Sequence, residues 1–114
     1  MKLLLKDENL NTLLEKYKKE LDQLYRELKY LSNNRKYNYY ESCSVRLAYS
    51  YLDYIISAMQ TFAMSDRGLT DKLLNQVIDI RNKATEISNF ISQNFSDVWE
   101  KDYSVIEKLQ NIPA

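Results

Sequence analysis

Apolar residues recur along this chain at alternating steps of three and four. The first stretch holds Leu10, Leu14, Tyr17, Leu21, Leu24, Leu28 and Leu31; the second Val45, Ala48, Leu52, Ile55, Met59 and Phe62; the third Leu73, Val77, Ile80, Ala84, Ile87 and Ile91. Such spacing places each set on one stripe of an α-helix, the surface that coiled-coil-like packing uses. The pattern predicts an all-α protein. Its architecture is an antiparallel helical bundle of three long helices plus a shorter C-terminal helix, in one domain spanning residues 1–114.

The residues between the stripes predict where each helix begins and ends. Asp7 and Glu8 favour a start close by, because negative charge offsets the positive end of the helix dipole. This helix should reach about Ser32, where Asn33 and Asn34 tolerate the left-handed end conformation. Asn38 is placed to cap the second helix, with Glu41 three residues on able to reach back in an Asn variant of the capping box. That helix should end near Met64, and Gly68 supplies a positive φ in the turn that follows. Thr70 and Asp71 read as cap and first turn of a third helix running to about Asn94. Ser96 and Asp97 repeat the signature and open a shorter helix through Val98, Trp99, Tyr103, Ile106 and Leu109, either separate or a kinked continuation. Pro113 and Ala114 read as a frayed tail.

The second helix differs from its neighbours in being apolar nearly all round. A parallel seam, Val45, Tyr49, Leu52, Ile56, Met59 and Ala63, runs beside the first, and a further flank carries Leu47, Tyr51, Tyr54 and Ala58. Only Arg46, Ser50, Asp53, Ser57 and Gln60 form a polar stripe. Such a helix is suited to enclosure, and two flanking helices cover only part of it. The flank of Leu47, Tyr51, Tyr54 and Ala58 therefore awaits the fourth helix, a second copy of the chain, or a partner protein, tyrosine being favoured at interfaces.

Composition narrows the function more by exclusion than by positive signal. The 114 residues are enough to bury a core without metal or disulfide support. Sixteen basic groups balance sixteen acidic ones, which argues against a DNA mimic or a histone-like binder. Residues 1 to 36 nevertheless carry nine basic and six acidic groups, against five and seven over residues 69 to 114. Cys43 is alone, so no intrachain disulfide is expected. It stands near the start of the second helix, where the dipole lowers a thiol pKa, yet it reads better as a small, half-buried apolar residue. The opening Met1-Lys2-Leu3-Leu4-Leu5-Lys6 is too short an apolar run for a signal peptide, and no later segment approaches a membrane span. A cytoplasmic location is expected.

The chain contains no histidine, which removes the commonest general base and metal ligand. One glycine rules out a glycine-rich phosphate loop. Asp97 and Glu100 lie one helical turn apart, but a metal site needs further oxygen ligands. No metal, cofactor or catalytic residue is expected. The best ligand surface in the sequence is the corner between the first two helices, where Arg26 and Lys29 precede Tyr30, Arg35, Lys36, Tyr37, Tyr39 and Tyr40. Basic groups interleaved with aromatic rings suit a protein contact, or the pairing of phosphates and stacking of bases in single-strand binding. The same tyrosines also suit sealing the end of a bundle with the ring inside and the hydroxyl wet.

Three resemblances bear on this layout. Arg81-Asn82 resembles the start of the arginine-asparagine motif of HEPN-type helical ribonucleases, in which a histidine follows about a turn later. Glu86, Ile87 and Ser88 stand there in this chain, so the resemblance implies at most an inactive bundle. Tyr103 with Glu107 is similar to the C-terminal export signal of secreted helical hairpins built around a Trp-x-Gly turn, although Trp99 here is followed by Glu100 and Lys101. The overall layout resembles pediocin-type bacteriocin immunity proteins, which are four-helix bundles of about this length. The leading expectation is a small non-enzymatic interaction module, a regulator or inhibitor that occludes a macromolecular partner with a helical face. Its Asn-, Lys-, Ile- and Tyr-rich composition suits a phage or mobile-element protein. The alternatives are an immunity protein and a dimeric nucleic-acid binder using the Arg35 to Tyr40 corner.

Overall fold

The computed structural model describes residues 7–34, 38–64 and 68–98. They form three helices: α1 (Asp7–Asn34), α2 (Tyr39–Ala63) and α3 (Asp71–Asn94). The local signals predicted for α2 and α3 are present. Asn38 Oδ1 accepts from the Glu41 N–H and Glu41 Oε1 accepts from the Asn38 N–H, each at 2.9 Å, completing the capping box. Thr70 Oγ1 accepts from the Leu73 N–H at 3.3 Å. Gly68 takes φ +66°, the left-handed region where a Cβ would be strained. α1 runs two residues past the predicted Ser32, whose hydroxyl donates to the Lys29 carbonyl at 2.9 Å and leaves the helix intact. The C-terminal helix predicted through Trp99, Tyr103, Ile106 and Leu109 lies outside the described residues beyond Val98.

Side-chain contacts fix the directions of the helices. Asp22 meets Lys83, and Tyr25 meets both Glu86 and Phe90, so α1 and α3 run the same way. Glu20 meets Tyr51 and Tyr17 meets Tyr54, so α2 runs opposite to α1. α3 is the helix that packs against both others, while the backbones of α1 and α2 stay further apart. This differs from the enclosure predicted for the second helix. The middle place falls to α3, whose six stripe residues, Leu73 to Ile91, are all buried.

The stripe of α1 divides between two neighbours. Leu10, Leu14, Leu21 and Leu28 are buried, whereas Tyr17, Leu24 and Leu31 are half-buried at the edge. On α2 the core side is Val45, Ala48, Leu52, Ile55 and Met59, and beyond α3 Phe95 and Val98 close the same cluster. Each fully buried Leu, Ile, Val, Phe or Met contributes about 1.5–3 kcal/mol relative to exposure. The α1–α3 seam adds edge-on rings, Tyr25 against Phe90 with centroids 5.4 Å apart, and the Lys83–Asp22 pair at 2.5 Å. The hydrogen bond from Lys83 holds the Asp22 carboxyl below its ordinary pKa. Both partners are substantially exposed, so the pair orders the seam more than it stabilises it.

Candidate interaction surface

The face of α2 beside its core side is built by the same periodicity that builds the core. Tyr40, Ser44, Leu47, Tyr51, Tyr54 and Ala58 follow steps of four and three, so they share one stripe, centred roughly 100–120° around the helix from Leu52 and Met59. Leu47 is 71% exposed, Tyr54 60% and Tyr40 79%, while Tyr51 and Ala58 are half-buried against the core cluster. Of the four flank residues predicted to form a contact face, Leu47 and Tyr54 thus stand in the open, and Tyr51 and Ala58 form its inner edge. Among the described residues α1 reaches one edge of this stripe, through Tyr51 and Tyr54, and leaves Leu47 and Tyr40 exposed.

The inner edge is held by α1. Tyr51 Oη donates to Glu20 Oε2, and Tyr17, Tyr54 and Glu20 complete a cluster of three phenols and one carboxylate between the helices. Burial pushes the Tyr51 phenol well above its ordinary pKa of 10.0, and its hydrogen bond to Glu20 adds to the shift. Burial also raises Tyr17, followed by its hydrogen bond with Tyr54. Tyr51 therefore stays protonated at neutral pH and donates to Glu20. Above the cluster a groove of about 510 Å³ runs between α1 and α2, floored by Leu24, Leu47, Ala48 and Tyr51 and edged by Glu20 and Glu27. Sequence reasoning placed Tyr17 in a core stripe and passed over Glu20. The signal was present in the register: Glu20 lies one helical turn from both Tyr17 and Leu24 on the flank of the α1 stripe.

The predicted corner is only partly described. Tyr30 and Tyr40 are 72% and 79% exposed, so neither ring seals the bundle end, which corrects that reading for these two. Arg35, Lys36 and Tyr37 lie outside the described residues, and Tyr39 is described only as the first residue of α2. Lys29 and Arg26 do not point to the corner. The Lys29 ammonium sits 4.0 Å from the centre of the Tyr25 ring. Arg26 joins Lys19, Lys29 and Lys83 around a shallow, basic depression of about 620 Å³ that also includes Asp22. Lys19, Arg26 and Lys29 of α1 and Lys83 of α3 thus share one surface.

The remaining candidates show no assembled chemistry. Cys43 is half-buried. Arg81 donates to its neighbour Asn82 at 3.3 Å on an exposed face. Tyr103 and Glu107 lie outside the described residues, as does Glu100. Among the described residues no three His, Cys, Asp or Glu side chains come together as metal ligands, and no helix is long and apolar enough to cross a membrane. No family model, curated protein or solved structure matches the chain.

Proposed function

We propose that the chain is a non-enzymatic interaction module that binds a macromolecular partner through the outward stripe of α2. The observation that carries this reading is the stripe itself: Tyr40, Leu47 and Tyr54 stand at steps of seven, exposed beside the buried face of the same helix. Charge depletion combined with tyrosine is the composition of the buried centre of a protein interface. A few such side chains supply most of the binding energy when a partner desolvates them. The module acts as a regulator or inhibitor by covering the partner's working surface.

Site-specific photo-crosslinking in the cells that produce the protein tests this. A photoreactive phenylalanine analogue at position 47 or 54 should give a discrete crosslinked protein species, whereas the same probe at Asp53 or Gln60 on the polar stripe should give none. Equal crosslinking from both stripes, or none from 47 and 54, overturns the reading.

A further inference from the structure

Helix α1 carries opposite charges on its two flanks. Glu20 and Glu27 edge the groove shared with α2, whereas Lys19, Arg26 and Lys29 gather with Lys83 of α3 around the depression on the other seam. Lys19 and Arg26 stand one heptad apart, as do Glu20 and Glu27 one residue on, so the two signs repeat in step about 100° around the helix. Inside the depression the charges do not cancel. Asp22 is the carboxylate that lines it, and Lys83 already holds that group at 2.5 Å. Among the described residues no salt bridge joins Lys19, Arg26 or Lys29 to a carboxylate. Glu86, at the α3 edge, accepts from the Tyr25 hydroxyl at 3.4 Å, and Glu15 and Asp79 belong to the next stretch of the seam, beside Lys18.

The shape and lining of this surface say which anion it fits. A shallow depression lacks the walls that hold a small ligand. A polyanion needs none, because pairing its successive charges releases the counterions condensed on it. From Lys19 to Lys29 the cations span about 15 Å along α1, the rise of about four phosphates on one strand of a duplex. No aliphatic side chain lines the depression, which disfavours an acidic protein segment or a membrane surface, since both anchor through apolar groups. The Tyr25 ring is already engaged, with the Lys29 ammonium 4.0 Å from its centre and Phe90 packed against it, so no ring here is left to stack on an unpaired base. The neutrality of the whole chain does not cancel a local contact, because exposed charges beyond a Debye length of about 8 Å are largely screened.

We propose that the α1–α3 seam binds the phosphate backbone of a double-stranded nucleic acid, without reading its sequence, through Lys19, Arg26 and Lys29. Lys83 and Asp22 hold the two helices together beneath the contact. The inference is independent of the α2 stripe, which lies beyond the acidic flank of α1.

Fluorescence anisotropy with a labelled DNA duplex of about 20 base pairs and the full chain tests it. Three cations on phosphates should make the affinity fall about fortyfold between about 25 and 100 mM salt. Reversing Lys19→Glu and Arg26→Glu together should weaken binding at least about tenfold at the lower salt, while Lys16→Glu with Lys72→Glu, the same change in net charge placed elsewhere, should weaken it less than about threefold. Arg26→Gln alone should reduce the slope of log affinity against log salt by about one, which keeps the test open should the double reversal fail to fold. A duplex of scrambled sequence should bind equally. No binding at the lower salt, or equal losses from the two double reversals, overturns the proposal. Tighter binding of a single strand, of poly-glutamate or of phosphatidylserine vesicles than of the duplex at equal salt also overturns it, and assigns the surface to that partner instead.

Discussion

The two faces of α2 carry similar residues and meet different fates. On one side Val45, Leu52, Ile55 and Met59 are each exposed by 1% or less; on the other Leu47 and Tyr54 are exposed by 71% and 60%. Both sets repeat in steps of three and four, and both contain large apolar side chains. The difference comes from α3, whose fully apolar stripe takes the first face, and from α1, which leans on α3 and touches α2 only along its edge. Hydrophobic periodicity therefore marks a surface that prefers cover without saying which neighbour supplies it. The energetic consequence is a steep gradient across the width of one helix.

The largest expected effect is at the sealed face. Ile55→Ala should destabilise the protein by about 2–5 kcal/mol, the loss of buried methyl groups plus the cavity left between α2 and α3. Urea unfolding followed by circular dichroism measures it. A loss below about 1 kcal/mol would mean that the interior collapses around the missing atoms, and the contrast between the two faces would shrink accordingly. Asn38→Ala comes next, at about 1 kcal/mol, since it removes one half of the capping box and frees the Glu41 N–H. Because the cap serves the whole helix, this variant should lower stability without changing the contrast between positions 55 and 47.

Much of this organisation is legible in the residues themselves. The caps at Asn38 and Thr70 and the turn at Gly68 were readable because each depends on chemistry within three or four positions of chain. The stripe of α3 was readable because all six of its residues share one fate. The central place of α3 was not, because apolar spacing carries no information about which of three amphipathic helices lies between the other two. The contact of Glu20 with Tyr51 was likewise hidden, since it joins residues thirty-one positions apart on separate helices. The open stripe was legible as a surplus: Leu47, Tyr51, Tyr54 and Ala58 were visible as apolar positions beyond what two neighbours cover, and two of the four are indeed exposed.

Tyr51 stands on the border between the faces, and its removal sharpens the comparison. Tyr51→Phe deletes the hydrogen bond to Glu20 while keeping the ring, and should cost about 1 kcal/mol at neutral pH, between the values for positions 55 and 47. The pH dependence carries its own sign. A phenol whose folded pKa lies above its unfolded value of 10.0 contributes stability that is fully present below pH 10 and is lost as pH rises toward the folded value. The native protein should thus lose stability as pH climbs above 10, with Tyr17 and Tyr25, both also raised by burial, adding to the slope. Tyr51→Phe should flatten that slope. Chemical unfolding at pH 9 and at pH 11 compares the two proteins, and an unchanged slope would show that the phenol ionises as easily in the folded as in the unfolded chain.

The smallest effect is expected at the open face. Leu47→Ala removes a side chain that is 71% exposed, so it should change stability by about 0.5 kcal/mol or less. Urea unfolding under the conditions used for Ile55→Ala puts the two positions on one scale. A loss of several kcal/mol at position 47 would return Leu47 to the core and erase the contrast. The expected near-neutral value makes the gradient across α2 a property of its neighbours and not of its residues: the same kind of apolar truncation is costly where the core cluster packs on the side chain and close to neutral where the side chain stands in water.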